Sequence, residues 1–115
     1  MLAYSGRGKQ KAGQKMLYIT VMIYGKQRIS GEFKEYEMKA LSIFKKYGGE
    51  IISAYTPIND GQKEDVPDEI HILKIASKLE FEKFVNDAER LKLTDERNQV
   101  ISKTNVYLSD KIIEY

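Results

Sequence analysis

LYITVMIY, residues 17–24, runs for eight positions without a charge in a chain whose residues are 31% charged. In a strand successive side chains alternate between faces. Leu17, Ile19, Val21 and Ile23 therefore make one apolar face, suited to a core. The intervening set, Tyr18, Thr20, Met22 and Tyr24, is too apolar and aromatic to be left in water. A strand of this kind needs cover on both sides, and the rest of the chain must say what supplies it.

At 115 residues the chain holds one domain with one core and little to spare. Cysteine is absent, which excludes disulfides, thiolate metal sites and cysteine nucleophiles and fits a reducing, cytoplasmic setting. The longest apolar run is far short of the roughly 20 residues needed to cross a bilayer. The net charge of +2 is unevenly spread. Arg7, Lys9, Lys11 and Lys15 sit in residues 1–15 with no acid, so fifteen of the nineteen basic residues face all seventeen acids in the remainder. Residues 1–15 read as a disordered basic leader or tag and residues 16–115 as a single domain.

Downstream of the 17–25 strand, Ser30 is placed to cap a helix that runs to Tyr47. Phe33, Tyr36, Ala40, Ile43, Phe44 and Tyr47 draw one stripe along it at steps of three and four, and Gly48-Gly49 ends it. EIISAYTPI (50–58) reads as a second strand, and NDGQKEDVPD (59–68) is a turn-rich connection. EIHILKIA (69–76) is a third strand. Ser77 and Glu80 then form an S-x-x-E capping box, with Ala76 and Phe81 as a staple. Phe81, Phe84, Val85, Ala88 and Leu91 give this second helix its stripe. A further helical segment is expected over 94–101, capped by Thr94, and a fourth strand over 103–109.

The order β-α-β-β-α-β, with short links and right-handed crossovers, predicts an α+β fold of ferredoxin-like type: a four-stranded antiparallel sheet with helices on one face. The other face would carry Tyr18, Thr20, Met22 and Tyr24 with Ser53, Tyr55, Asn105 and Tyr107. Strand 69–76 is apolar at both parities, so its pattern leaves open which face takes His71 and which takes Lys74. A sheet face this apolar exceeds what a monomer usually exposes. A second copy is the simplest cover.

FKEYEMKALSIFKKYGGEIIS, VPDEIHILKIASKLEFEKFV and LTDERNQVISKT together resemble segments of small dimeric α+β barrel proteins. Their order is similar to that of an uncharacterised family in the superfamily that also holds EthD-like and antibiotic-monooxygenase-like proteins. The resemblance spans most of residues 17–109 and rests on Phe33 with Tyr36, on Tyr47-Gly48-Gly49, on the entry at Ser77 and on Arg97. Ala76 stands where the commoner pattern has proline. The resemblance implies a homodimer whose sheets meet through their helix-free faces, with KIIEY lying along the partner's sheet edge.

His71 is the lone histidine, so a zinc site without cysteine or a second imidazole is excluded, and no metal or cofactor is expected. It is either an ordinary strand histidine or, if it faces a cavity, a general base. The resemblance brings in Arg97, which either grips a carboxylate or pairs with Asp95, Glu96 or the partner chain. Lys74 either turns inward as an amine base or snorkels to solvent. Tyr18, Tyr24, Tyr55 and Tyr107 make either a dimer core or, with Met22, His71 and Lys74, the lining of a ligand cavity. Glu35/Glu37 and Glu80/Glu82 read as solvated helix carboxylates. Nucleotide-loop, hydrolase-elbow and zincin motifs are all missing.

The expectation is a homodimer that binds a small, partly apolar molecule between its two sheets. One alternative is a cofactor-free oxygenase or isomerase using His71 as base, Tyr24 as phenol donor and Arg97 as anion anchor. Another is a single-strand nucleic-acid binder that stacks bases on sheet aromatics, which the acidic body and the missing aromatic RNA-binding run disfavour.

Overall fold

The structure is a computed structural model that describes residues 15–115; the expected leader, Lys15 apart, lies outside them. Strand β1 (Leu17–Gly25) is followed by helix α1 (Gly31–Lys46), then strands β2 (Glu50–Tyr55) and β3 (Glu69–Ile75). Three short helices come next: α2 (Lys78–Val85), α3 (Ala88–Leu91) and α4 (Thr94–Val100). Strand β4 (Ile101–Ser109) completes one four-stranded sheet in the order β2-β3-β1-β4. Every neighbouring pair is antiparallel. No helix among the described residues is long and apolar enough to cross a membrane.

The expected stripe on α1 does its work. Ser30 Oγ accepts the Phe33 N–H at 3.0 Å, and Phe33, Tyr36, Ile43 and Phe44 are buried. Glu32 in the first turn and Lys45 and Lys46 in the last complement the helix dipole. Gly48 follows at φ 81, where a Cβ would be strained. At Gly49 a Cβ would run into the ring of Phe44, so chain and core ring can approach only because that side chain is absent.

Pairing fixes the faces. Leu17 lies opposite Ile75, Ile19 opposite Leu73, Val21 opposite His71 and Ile23 opposite Glu69. These residues share the helix-covered face, since pairing partners point the same way. Two apolar clusters hold the helices there: Leu17, Ile19, Leu73 and Ile75 with Phe44, and Ile23 and Ile101 with Phe33, Tyr36 and Val100. Val21 touches both clusters.

Several boundaries differ from expectation. β2 stops at Tyr55, because Pro57 just beyond it has no N–H to extend the ladder. The second helix is not continuous. Asn86 Nδ2 turns back onto the Glu82 carbonyl at 2.9 Å, and Asp87 starts a new helix by accepting the Arg90 N–H at 2.8 Å. Such local side-chain bonds offer the backbone an alternative to continuing helix. Leu91, expected on the buried stripe, is consequently 51% exposed. Thr94 does not cap α4: its hydroxyl donates to the Leu91 carbonyl at 2.7 Å, and Leu93 holds the cap position without a side-chain bond. β4 begins directly at Ile101, two residues earlier than expected.

Candidate functional site

A cavity of about 350 Å³ opens where the two core clusters meet at Val21. Its floor is Ile19, Val21, Ile23 and Leu73 from the sheet, and Ala40, Leu41 and Phe44 of α1 wall one side. Phe81, Phe84 and Val85 of α2 wall the other. Among the described residues, few polar groups enter this apolar surround: Tyr36, Glu37, His71, Arg90, Arg97 and Thr104. A mainly apolar recess with a few convergent polar side chains is the usual make-up of a small-molecule site.

His71 is part of its lining and is 3% exposed. Glu69 and His71 are two apart on β3 and so share a face, which brings Glu69 Oε1 to 2.8 Å from His71 Nε2. That carboxylate favours a proton on Nε2 and turns Nδ1 toward Glu37, whose Oε1 is 3.8 Å away. Glu37 reaches in from α1. Burial and the neighbouring charge of Glu69 push its carboxyl up to about 7, while Arg97 pulls the other way. Burial, then Glu37, also raises the Tyr36 phenol. Glu37 is therefore an acid–base group balanced near neutrality, next to an imidazole.

Two guanidinium groups complete the set. Arg97 donates through Nη2 to Thr104 Oγ1 at 2.6 Å and through Nη1 to Asn98 Oδ1 at 3.2 Å. Its neighbour Glu96 is taken by Lys39 at 3.0 Å. Arg90 donates through Nη1 to the Val85 carbonyl at 2.8 Å and lies over the Phe84 ring, 5.3 Å from its centre. Among the described residues, no group of three or more His, Cys, Asp or Glu side chains is arranged to hold a metal ion.

Of the residues singled out in the sequence, His71 and Arg97 come together in this cavity. Tyr24 does not join them. It lies on the opposite face of β1, its hydroxyl donates to the Asp65 carbonyl at 3.2 Å, and Lys103 sits 4.6 Å above its ring. Tyr18, Met22, Tyr55, Lys74 and Tyr107 share Tyr24's helix-free face: Lys74 pairs with Tyr18, and Tyr107 with Thr20. The grouping of His71 with them is corrected by the register, because opposite Val21 it must point to the helices. Lys74 extends to the rim, 3.7 Å from Glu50.

Glu37 is also corrected. It is not a solvated helix carboxylate, for its side chain is only 13% exposed, unlike that of exposed Glu35. A signal for it existed: Glu37 is four residues after Phe33 and four before Leu41, at the margin of the apolar stripe. Glu69, Arg90 and Thr104 had no comparable signal, because their placement depends on strand register and on the break between α2 and α3.

Compared with known families and with characterised proteins, the sequence matches none. Solved structures do match. A dabb family protein with a ferredoxin-like fold from Mesorhizobium loti shares 16% identity over 86% of this chain and 99% of its own, with a TM-score of 0.65. A putative antibiotic biosynthesis monooxygenase from Caulobacter crescentus shares 10% over 88% and 93%, with a TM-score of 0.63. A dimeric ferredoxin-like protein of unknown function from Thermobifida fusca shares 4% over 92% and 100%, with a TM-score of 0.52. Identities this low speak to architecture alone, and the architecture is the ferredoxin-like α+β fold.

Proposed function

We propose that this protein binds a small, partly apolar molecule in the cavity between its sheet and its helices, and that it does so as a homodimer joined through the helix-free sheet face. The observation that carries the reading is the Glu69–His71–Glu37 cluster, set among apolar side chains with Arg97 nearby. Burying three ionisable groups beside open volume costs stability, and a core that needed only packing would fill the space with apolar atoms. The ligand therefore lies on the helix side of the sheet, and the tyrosines of the other face serve contact between copies. Titration of the labelled chain with 2-naphthol, followed by amide chemical shifts, should move Val21, Ala40 and Leu73. Shifts confined to the helix-free face, or none, would end the cavity reading.

A second reading is favoured by one specific observation, the Glu37 carboxyl held near neutrality 3.8 Å from His71. It makes the protein a cofactor-free proton-transfer catalyst, either an isomerase or an oxygenase. Exchange of the α-hydrogens of 2-acetylcyclohexanone in deuterated water tests it. Catalysed exchange should fall at least tenfold in Glu37→Gln, as expected for loss of a general acid–base group; equal rates with and without protein would dismiss it.

A further inference from the structure

Resting on the cavity reading, we infer that the ligand is an apolar monoanion, a molecule bearing a single carboxylate, and that the site takes up a proton at Glu37 when it binds.

Among the described residues, the charges around the cavity are few and come from four elements. β3 supplies Glu69 and His71, α1 supplies Glu37 beside Tyr36, α3 supplies Arg90 and α4 supplies Arg97. Thr104 of β4 is the neutral partner of Arg97. Both guanidinium groups are permanently charged. Glu69 is engaged by His71. With Glu37 ionised, its carboxylate and that of Glu69 match the two arginines in number. An entering carboxylate would then leave one uncompensated negative charge in an apolar enclosure, which is costly. Protonation of Glu37 removes that excess, and its position next to Glu69 already favours the neutral form.

The donors fit the same occupant. Arg97 spends two of its five N–H groups on Thr104 and Asn98, which fix its plane. The remaining edge suits the two oxygens of a carboxylate. A cationic ligand would instead meet two arginines, with one carboxylate already committed to His71. A neutral ligand would leave the arginines with no new partner while displacing water from them. The coupling follows: the carboxylate draws a proton onto Glu37, and the protonated Glu37 lets the carboxylate stay.

Calorimetric titration of the full chain with 1-naphthoate and its neutral isostere 1-naphthamide tests this, in buffers of different ionisation heat so that proton uptake is read directly. The acid should bind at least tenfold more tightly than the amide near pH 7. Its affinity should fall by up to about tenfold per pH unit above neutrality, as proton linkage requires. Glu37→Gln should bind naphthoate with neither proton uptake nor that pH slope. Arg97→Gln should reduce naphthoate binding to the level of the amide, and Arg97→Lys, which keeps the charge, should retain part of the preference if Arg97→Gln fails to fold by circular dichroism. Equal binding of acid and amide, or naphthoate binding without proton uptake, overturns the inference and leaves the cavity reading standing. Failure of both probes to bind overturns the two together.

Discussion

At the scale of single residues, Glu37 has the clearest energetic consequence. Its carboxyl moves from an ordinary 4.5 to about 7, chiefly through burial and then through Glu69. The folded chain therefore holds a proton between those values that the unfolded chain has released, and stability must fall as pH rises through that window. The full displacement corresponds to about 3 kcal/mol, and relaxation and partial hydration reduce it to roughly 1–3 kcal/mol. Glu37→Gln, neutral at every pH, should match the parent near pH 4.5 and exceed it in urea denaturation at pH 8. A parent whose stability is level across this range would show that Glu37 is solvated. Neither Glu37 nor the face of His71 was fully legible in the sequence, for different reasons. Glu37 sits at the margin of a stripe otherwise drawn by apolar residues, where charge alone argues for solvent. The ladder of β3 is apolar at Ile70 and Ile72 as well as at Leu73 and Ile75, so only pairing with Leu17, Ile19 and Val21 decides which parity turns inward.

Among the elements, those whose ends carry their own chemistry could be read directly. Ser30 and Gly48 bracket α1, and Ser77 Oγ accepts the Glu80 N–H at 3.2 Å to open α2. The break at Asn86-Asp87 was hidden because Phe81, Phe84, Val85, Ala88 and Leu91 keep a helical spacing straight through it. Two hydrogen bonds on one carboxylate overrule that spacing: Asp87 Oδ1 accepts the Arg90 N–H, and Oδ2 accepts the Tyr47 hydroxyl at 2.6 Å. The pair raises the Tyr47 phenol and lowers the Asp87 carboxyl. Asp87 thus ties the start of α3 to the end of α1, and Arg90, which lines the cavity, is set by the same residue. Asp87→Ala should lower the urea midpoint, as loss of a helix cap does. Asp87→Asn keeps a capping oxygen and should lower it less than half as much. Equal losses in the two variants would mean that the charge, rather than the cap, holds this junction.

At the scale of the whole molecule, the single helix layer among the described residues leaves the question posed by residues 17–24 in sharper form. Tyr18, Thr20, Met22 and Tyr24 stand beside Ile70 and Ile72 on one side and Asn105 and Tyr107 on the other. The clusters that bind the helices contain none of them. Toward the edges, Tyr55 and Tyr107 are 49% and 58% exposed. Ile112, Ile113 and Tyr115 beyond β4 add further exposed apolar surface. A patch on this scale is rare on a solitary soluble protein. Face-to-face pairing with a copy would bury on the order of 800 Å² per partner, enough for a specific interface. Met22 tests it best, because it lies on a central strand between Ile70 and Asn105 and takes no part in the helix-side core. In Met22→Glu a carboxylate without a partner would have to be desolvated for the copies to meet, a penalty of roughly several kcal/mol that recurs on both sides of a twofold axis. Light scattering should give twice the 13.3 kDa chain mass for the parent and a single chain mass for Met22→Glu, with unchanged circular dichroism. A parent at 13.3 kDa at every concentration would mean that water tolerates this face and would remove the homodimer. A variant that stayed dimeric would place the contact elsewhere, with the exposed Ile112-Ile113 segment the next surface to alter, since the tyrosine-bearing face could not pair around two buried charges.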